Sequence, residues 1–255
     1  MPNPLSLNHR ALCSITHLSP GENRKTCLAG AGACWLRGVL AVMKLKDLQS
    51  LLQDCKPFEE PKVELEQYTT RPHIAAHILH AIHNSYEGFD DTTVVDLGCG
   101  AGALGVGAAI LGGRIIGIDI DKDALAIAQE NAVELNPWEE DLCIDFVNAD
   151  VLELVPQMCE KLKADVVITN PPFGTRTKGV DIEFLKVASQ IATSAVYSLH
   201  KSSTRSYIQR HATKVLGFKR AQVVAELRYD LPKTYKFHKK ACKDIEVDFW
   251  RFEVK

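Results

Sequence analysis

The chain has almost no net charge. Thirty Lys and Arg stand against 32 Asp and Glu, for −2 at neutral pH. So even a balance gives no long-range pull on a polyanion, and a nucleic acid would have to be met by a local basic patch. No run is long and apolar enough to span a bilayer. The eight cysteines form no Cys-x-x-Cys pair, and Cys99 and Cys143 sit inside glycine-rich or apolar runs. That pattern reads as reduced thiols in a cytosolic or nuclear protein. Acids are scarce in two places: residues 1–42 hold only Glu22, and residues 231–242 hold none.

What is there suits one α/β domain with an appendage. The chain has 255 residues, 46% hydrophobic and 24% charged, ordinary values for a globular protein. Residues 1–42 stand apart, with scattered Pro, Ser, Gly and Asn and the bases Arg10, Arg24, Lys25 and Arg37. A mitochondrial transit peptide is basic and poor in acids too. Here Pro2, Pro4 and Pro20 interrupt the weak amphipathic period, so the favoured reading is a disordered, dispensable extension.

From Met43, Leu45, Leu48, Leu51 and Leu52 recur at helical spacing, until Pro57 and Pro61 end the pattern. A second helix opens at Thr70-Arg71-Pro72, with Thr70 as expected N-cap, and runs to about Tyr86. It carries His73, His77, His80 and His83. Three of them share one face at metal-ligand spacing, but no Cys or acid cluster lies nearby in sequence. A solvated polar face is the expectation, with no metal. Residues 43–92 read as a helical segment capping a cofactor site, and residues 93–255 as the main domain.

That domain alternates strands and helices, the pattern of a doubly wound, mostly parallel sheet. Buried strands are expected at Thr93–Leu97, Arg114–Asp119, 143–148 and 164–170, and a fifth at 195–199. Asp181 is expected to cap the helix before that fifth strand. Residues 223–227 and 245–252 alternate in the manner of an antiparallel hairpin.

The first strand runs into Gly98-Cys99-Gly100-Ala101-Gly102, a loop whose backbone can approach a nucleoside closely. Counted from the strand, its spacing departs from Gly-x-Gly-x-x-Gly. Asp96 stands ahead of it, where a carboxylate would serve a cationic amino group and not a pyrophosphate. Asp119 ends the second strand, the place for ribose hydroxyls. Asp150, with the Val151 amide, follows the third, placed for an adenine edge. Each acid could instead cap a helix, a role that suits Asp121 and Asp123 better.

The fourth strand ends in Asn170-Pro171-Pro172-Phe173. Two prolines stop the strand and stiffen the corner. A planar amine could give its hydrogens to the Asn170 side-chain oxygen and the Pro171 carbonyl, with Phe173 stacked on the attached ring. Two such acceptors would push the nitrogen towards tetrahedral and expose its lone pair to an electrophilic methyl group. An ordinary Pro-Pro turn would look the same in sequence. Further on, Lys233, Tyr235, Lys236, Phe237, His238, Lys239 and Lys240 interleave cations with rings. That composition suits a nucleic-acid strand, or a solvated hairpin loop.

Glu66-Gln67-Tyr68 with Thr70-Arg71-Pro72-His73, Asp96-Leu97-Gly98-Cys99-Gly100 and Asn170-Pro171-Pro172-Phe173-Gly174 together resemble the methyltransferase-like 5 family. So do Ala195-Val196-Tyr197-Ser198-Leu199-His200-Lys201-Ser202-Ser203 and Tyr235-Lys236-Phe237-His238-Lys239-Lys240. The family methylates adenosine N6 in small-subunit (18S) ribosomal RNA. The resemblance covers residues 43–255. It implies a Rossmann-like class I fold with a seven-stranded sheet, and S-adenosylmethionine as donor. It implies donor contacts from Gln67, Thr70, Gly98, Ala101, Ala103, Asp119, Asp150 and Val151. It also implies a small zinc-binding activator subunit as heterodimer partner on an edge strand at 142–148, and residence in nucleolus and cytoplasm. The isolated chain would then be poorly soluble and weakly active. Two other readings share the donor: methylation of a protein glutamine amide, and a non-catalytic donor-binding subunit of an RNA-processing complex.

Overall fold

The computed structural model describes residues 43–231 and 243–255. The extension at 1–42 and the basic stretch from Lys233 to Lys240 lie outside them.

The chain enters through α1 (Leu45–Gln53), which buries Leu48 and Leu52. Next comes α2 (Pro72–Ser85), whose Ile74, Ile78, Leu79 and Ile82 form the buried stripe. The alternating part follows as β1 (Thr93–Leu97), α3 (Ala103–Ile110), β2 (Arg114–Asp119), α4 (Lys122–Glu134) and β3 (Ile144–Asn148). It continues with α5 (Pro156–Lys161), β4 (Ala164–Thr169), α6 (Val180–Ile191) and β5 (Ala192–Lys201). The chain ends with α7 (Arg205–Lys214), β6 (Arg220–Leu231) and β7 (Lys243–Glu253).

The seven strands form one sheet in the order β3-β2-β1-β4-β5-β7-β6. The first five are parallel, and β7 enters antiparallel to both β5 and β6. Strand residues alternate between two cores. Val94, Val166, Ile168, Ala195 and Tyr197 join the core under α1, α2 and α3. Val95, Val167 and Val196 join the one that includes α6 and α7. With both faces covered, the central strands read as continuous apolar runs. Strand order reverses between β1 and β4, and the crevice at such a reversal is where open α/β sheets take ligands.

Two expected caps are corrected. Arg71, not Thr70, occupies the N-cap of α2, because Thr70 is turned inward. Gly179, at φ +83°, caps α6 in place of Asp181. Asp181 lies in the first turn instead and accepts from His200 Nδ1 at 3.1 Å, while His200 Nε2 meets Ser198 Oγ at 2.9 Å. This Ser–His–Asp series has the order of a hydrolase relay. Ser198 and His200 are 1% and 0% exposed, however, so it ties β5 to α6 and reaches no substrate. On α2, His77 Nδ1 donates to the His73 carbonyl and His83 stacks on Phe89. Among the described residues no three His, Cys, Asp or Glu gather as a metal site.

Candidate active site

The strand register decides the site. Leu97 lies level with Ile118 and Thr169, and Asp119 with Asn148. The glycine loop, Asp119, Asp150 and Asn170 therefore reach the same edge of the sheet. They line a cavity of about 240 Å³. Its lining also takes Phe58, Gln67 and Thr70 from the N-terminal segment, Ala101, Ala103 and Val151, and Pro171, Pro172, Phe173 and Tyr229.

The loop is held by its backbone. The Gly98 and Cys99 amides both donate to the Ile118 carbonyl, at 2.8 and 3.0 Å. Gly100 has φ +53°, and a Cβ there would lie 2.8 Å from the Phe58 ring. Only glycine meets both demands, which lets the ring close over the loop. Counted from Gly100 the run does read Gly-x-Gly-x-x-Gly, through Gly105, so glycine spacing alone does not exclude a dinucleotide. Asn131, 0% exposed, straps the N-terminal segment across the loop. Its side chain accepts from the Lys56 amide at 2.8 Å and donates to the Lys56 and Ala101 carbonyls.

The acids differ in how they are used. Asp119 accepts from the Gly100 amide at 2.8 Å and the Asp121 amide at 2.9 Å, leaving a lone pair on each oxygen. Burial raises its carboxyl against those two amides. Asp121 is the N-cap of α4, and it also accepts from Gln67 Nε2 at 2.7 Å. Gln67 Oε1 in turn takes the Lys62 amide at 2.7 Å, so one end of its amide braces the N-terminal segment and the other ties that segment to α4. Asp150 accepts from the Leu152 amide at 2.8 Å.

Asp96 is different. Its Oδ2 is buried with no hydrogen-bond partner among the described residues. Burial, with a smaller push from the Asp119 charge, raises its carboxyl to about 7 against the pull of the Gly105 amide. A cation placed beside it would bring that value down.

At the other end, Asn170 Nδ2 donates to Thr70 Oγ1 at 3.0 Å. That bond fixes the amide, and Asn170 Oδ1 is left buried and unpartnered among the described residues. Thr70, for which the resemblance implies a donor contact, is bonded to the Asn170 corner and lines the cavity. Glu66 stands beside it in the left-handed region at φ 52°. Its Oε1 accepts from the Arg176 amide at 2.6 Å, pinning the loop after the corner, and its Oε2 is unpartnered among the described residues. The Phe173 ring meets Tyr229 edge-on, with centroids 6.3 Å apart and planes at 87°. Glu66, Phe58, Asn131 and Tyr229 are site residues that the sequence reading did not single out. Glu66 adjoins Gln67 and could have been suspected; the other three carry no local signal.

The methyltransferase small domain model matches residues 74–206. The rRNA N(6)-adenosine-methyltransferase METTL5 of Danio rerio is 51% identical over 214 residues, covering 82% of this chain and 99% of that one. The Drosophila melanogaster relative Mettl5 is 48% identical over 217 residues, 84% and 99% of the two chains. The chain belongs to the METTL5 family. A crystal structure of a candidate RNA methyltransferase from Pyrococcus horikoshii superposes with a TM-score of 0.68 at 31% identity, covering 83% of this chain and 97% of that one. The fold is that of S-adenosylmethionine-dependent methyltransferases, and S-adenosylmethionine is the cofactor.

The METTL5-family site fits that donor on its own terms. An unpaired buried carboxylate at Asp96 suits its ammonium group. The spare lone pairs of Asp119 suit ribose hydroxyls, and the glycine loop gives close backbone access.

Proposed function

We propose that the protein transfers a methyl group from S-adenosylmethionine to N6 of an adenosine in small-subunit (18S) ribosomal RNA, with the adenine flipped out of its stack. One observation carries the acceptor assignment. Thr70 holds the amide nitrogen of Asn170, a residue lining the cavity, and the amide oxygen is left buried without a partner among the described residues. A buried acceptor left unpaired is costly, and an exocyclic amine would satisfy it. The names of the relatives, rRNA N(6)-adenosine-methyltransferases, support the same chemistry.

S-adenosylmethionine, when bound, supplies a methyl group on a cationic sulfur. The chain's own work is placement. Asn170 Oδ1 and the Pro171 carbonyl take the two amine hydrogens, and Phe173 stacks on the base. The nitrogen lone pair is thereby turned out of conjugation towards the donor half of the cavity. Once methylated the nitrogen is acidic, and its proton leaves to water, so no strong base is required. Positioning and fixed dipoles carry the rate.

A small zinc-binding activator subunit is the proposed partner, added along β3. That strand pairs only with β2 among the described residues and carries the half-exposed Ile144, Phe146 and Val147. An open edge of this kind invites strand addition. The lysine- and ring-bearing stretch from Lys233 to Lys240 is the proposed RNA contact. Nucleolus and cytoplasm are the proposed locations, since ribosomal RNA is made in one and works in the other.

Mass spectrometry of ribosomal RNA nucleosides after deletion of the gene tests the reading. Loss of N6-methyladenosine from the small-subunit RNA is expected. An unchanged nucleoside profile, with labelled methyl appearing on a release-factor glutamine instead, would replace RNA with protein as acceptor.

A further inference from the structure

We infer that Tyr229 is an acceptor-recognition residue, its hydroxyl donating a hydrogen bond to the adenine ring nitrogen next to the reacting amine. The inference rests on the adenine reading above and adds a contact which that reading lacks. Asn170 and Pro171 both act on one atom, the amine nitrogen. Phe173 sets the plane of the base. None of the three stops the base from pivoting within that plane about its amine, and a pivot swings the lone pair away from the methyl group. A third point of contact, away from the amine, is needed.

Tyr229 supplies it. The residue is 2% exposed and lines the cavity beside Phe173 and Thr70. Its hydroxyl is buried; Thr70 is the side chain that approaches it, as a donor, and the hydroxyl's own hydrogen meets no acceptor among the described residues. A base stacked on Phe173 lies parallel to that ring. Tyr229 stands at 87° to it with centroids 6.3 Å apart, so its ring is upright relative to the plane of such a base. The edges of adenine beside N6 offer only acceptors, N1 on one side and N7 on the other. Burial pushes the Tyr229 hydroxyl well up, against smaller pulls from Thr70 and Arg71, so it stays protonated and can donate throughout the working range. β6 holds the residue in place: Tyr229 lies opposite Ile245 of β7, on a strand four places from β1, which leads into the glycine loop.

The test uses the full chain, wild type and Tyr229→Phe, with S-adenosylmethionine and ribosomal RNA. The labelled position is mapped, and short RNA fragments are then made with adenosine, 1-deazaadenosine or 7-deazaadenosine there. Tyr229→Phe is expected to lower kcat/KM on the adenosine fragment roughly three- to tenfold, the effect of one neutral hydrogen bond. Affinity for S-adenosylhomocysteine should stay unchanged, which also reports that the variant is folded. Wild type should lose a similar factor on one of the two deaza fragments, and Tyr229→Phe should lose nothing more on that fragment. Equal activity of the two proteins on adenosine overturns the assignment. So do independent, multiplying losses from the variant and from both deaza bases. Should wild type label no ribosomal RNA at all, the adenine reading fails and this inference fails with it, a result distinct from either of those.

Discussion

The two halves of the cavity are built differently. On the donor side, Asp119, Asp150 and the glycine loop come from strand ends and from loops directly after them, and they bond mostly to amides within a few residues or one strand away. On the acceptor side, Asn170 meets Thr70 a hundred residues back, and Glu66 reaches Arg176 across 110. The polar atoms left over differ as well. The donor side leaves Asp96 Oδ2; the acceptor side leaves Asn170 Oδ1, Glu66 Oε2 and the Tyr229 hydroxyl. A nucleoside pocket can be written into one alternating sheet. The proposed base pocket is gathered from three parts of the chain that only folding brings together.

If the halves are separable, Asn170→Ala should stop turnover and spare the donor. The expected loss is roughly 10²- to 10³-fold in kcat, the scale seen when one transition-state contact is removed, with S-adenosylhomocysteine affinity within about twofold by calorimetry. Comparable losses in both would erase the distinction.

Thr70 sharpens the comparison, since the family resemblance implies a donor contact from it and its hydroxyl is bonded to Asn170. Thr70→Val should cost roughly tenfold in kcat and much less in donor affinity. A loss confined to donor KM would return Thr70 to the donor side.

The donor half should show its own signature in pH. The donor's ammonium group needs Asp96 ionised, and in the free protein that carboxyl sits at about 7. Affinity for S-adenosylhomocysteine should therefore rise roughly five- to tenfold between pH 6 and 7.5 and then level off. Asp96→Asn should flatten the curve. For the empty protein the sign is opposite. A carboxyl raised in the folded state favours folding at low pH, and that contribution fades as pH climbs from about 4 towards 7. A pH-independent affinity in wild type would remove Asp96 from the donor site.

The smallest effect is expected from removing residues 1–42. A chain beginning at Met43 should keep kcat/KM within about twofold, measured on the same RNA. An inactive truncation would give that stretch a part in one half or the other.

Particular residues show how far sequence reading reached. The β1 and β2 ends, at Asp96 and Asp119, were legible because a short apolar, β-branched run that closes on an acid and a turn is a local pattern. Asp121 as helix cap was legible for the same reason. Thr70 was misread because a Thr before Arg-Pro at a helix start looks like a cap. Its hydroxyl could equally serve a partner 100 residues away, and no local pattern reports which. Asp181 was misread in the same way, with Gly179 taking the cap and His200 the carboxylate.

By itself, then, the sequence determined the alternation of strands and helices, the glycine loop, the carboxylates that follow the strands and the stiff Asn-Pro-Pro-Phe corner. Each depends on backbone preferences and side-chain periods that act over a few residues. Only the tertiary structure decided which way the Asn170 amide faces, that Phe58 and Asn131 strap the loop, and that Tyr229 stands against Phe173. Those outcomes depend on strand order and register, which bring distant side chains within hydrogen-bonding reach and leave particular polar atoms without a partner among the described residues.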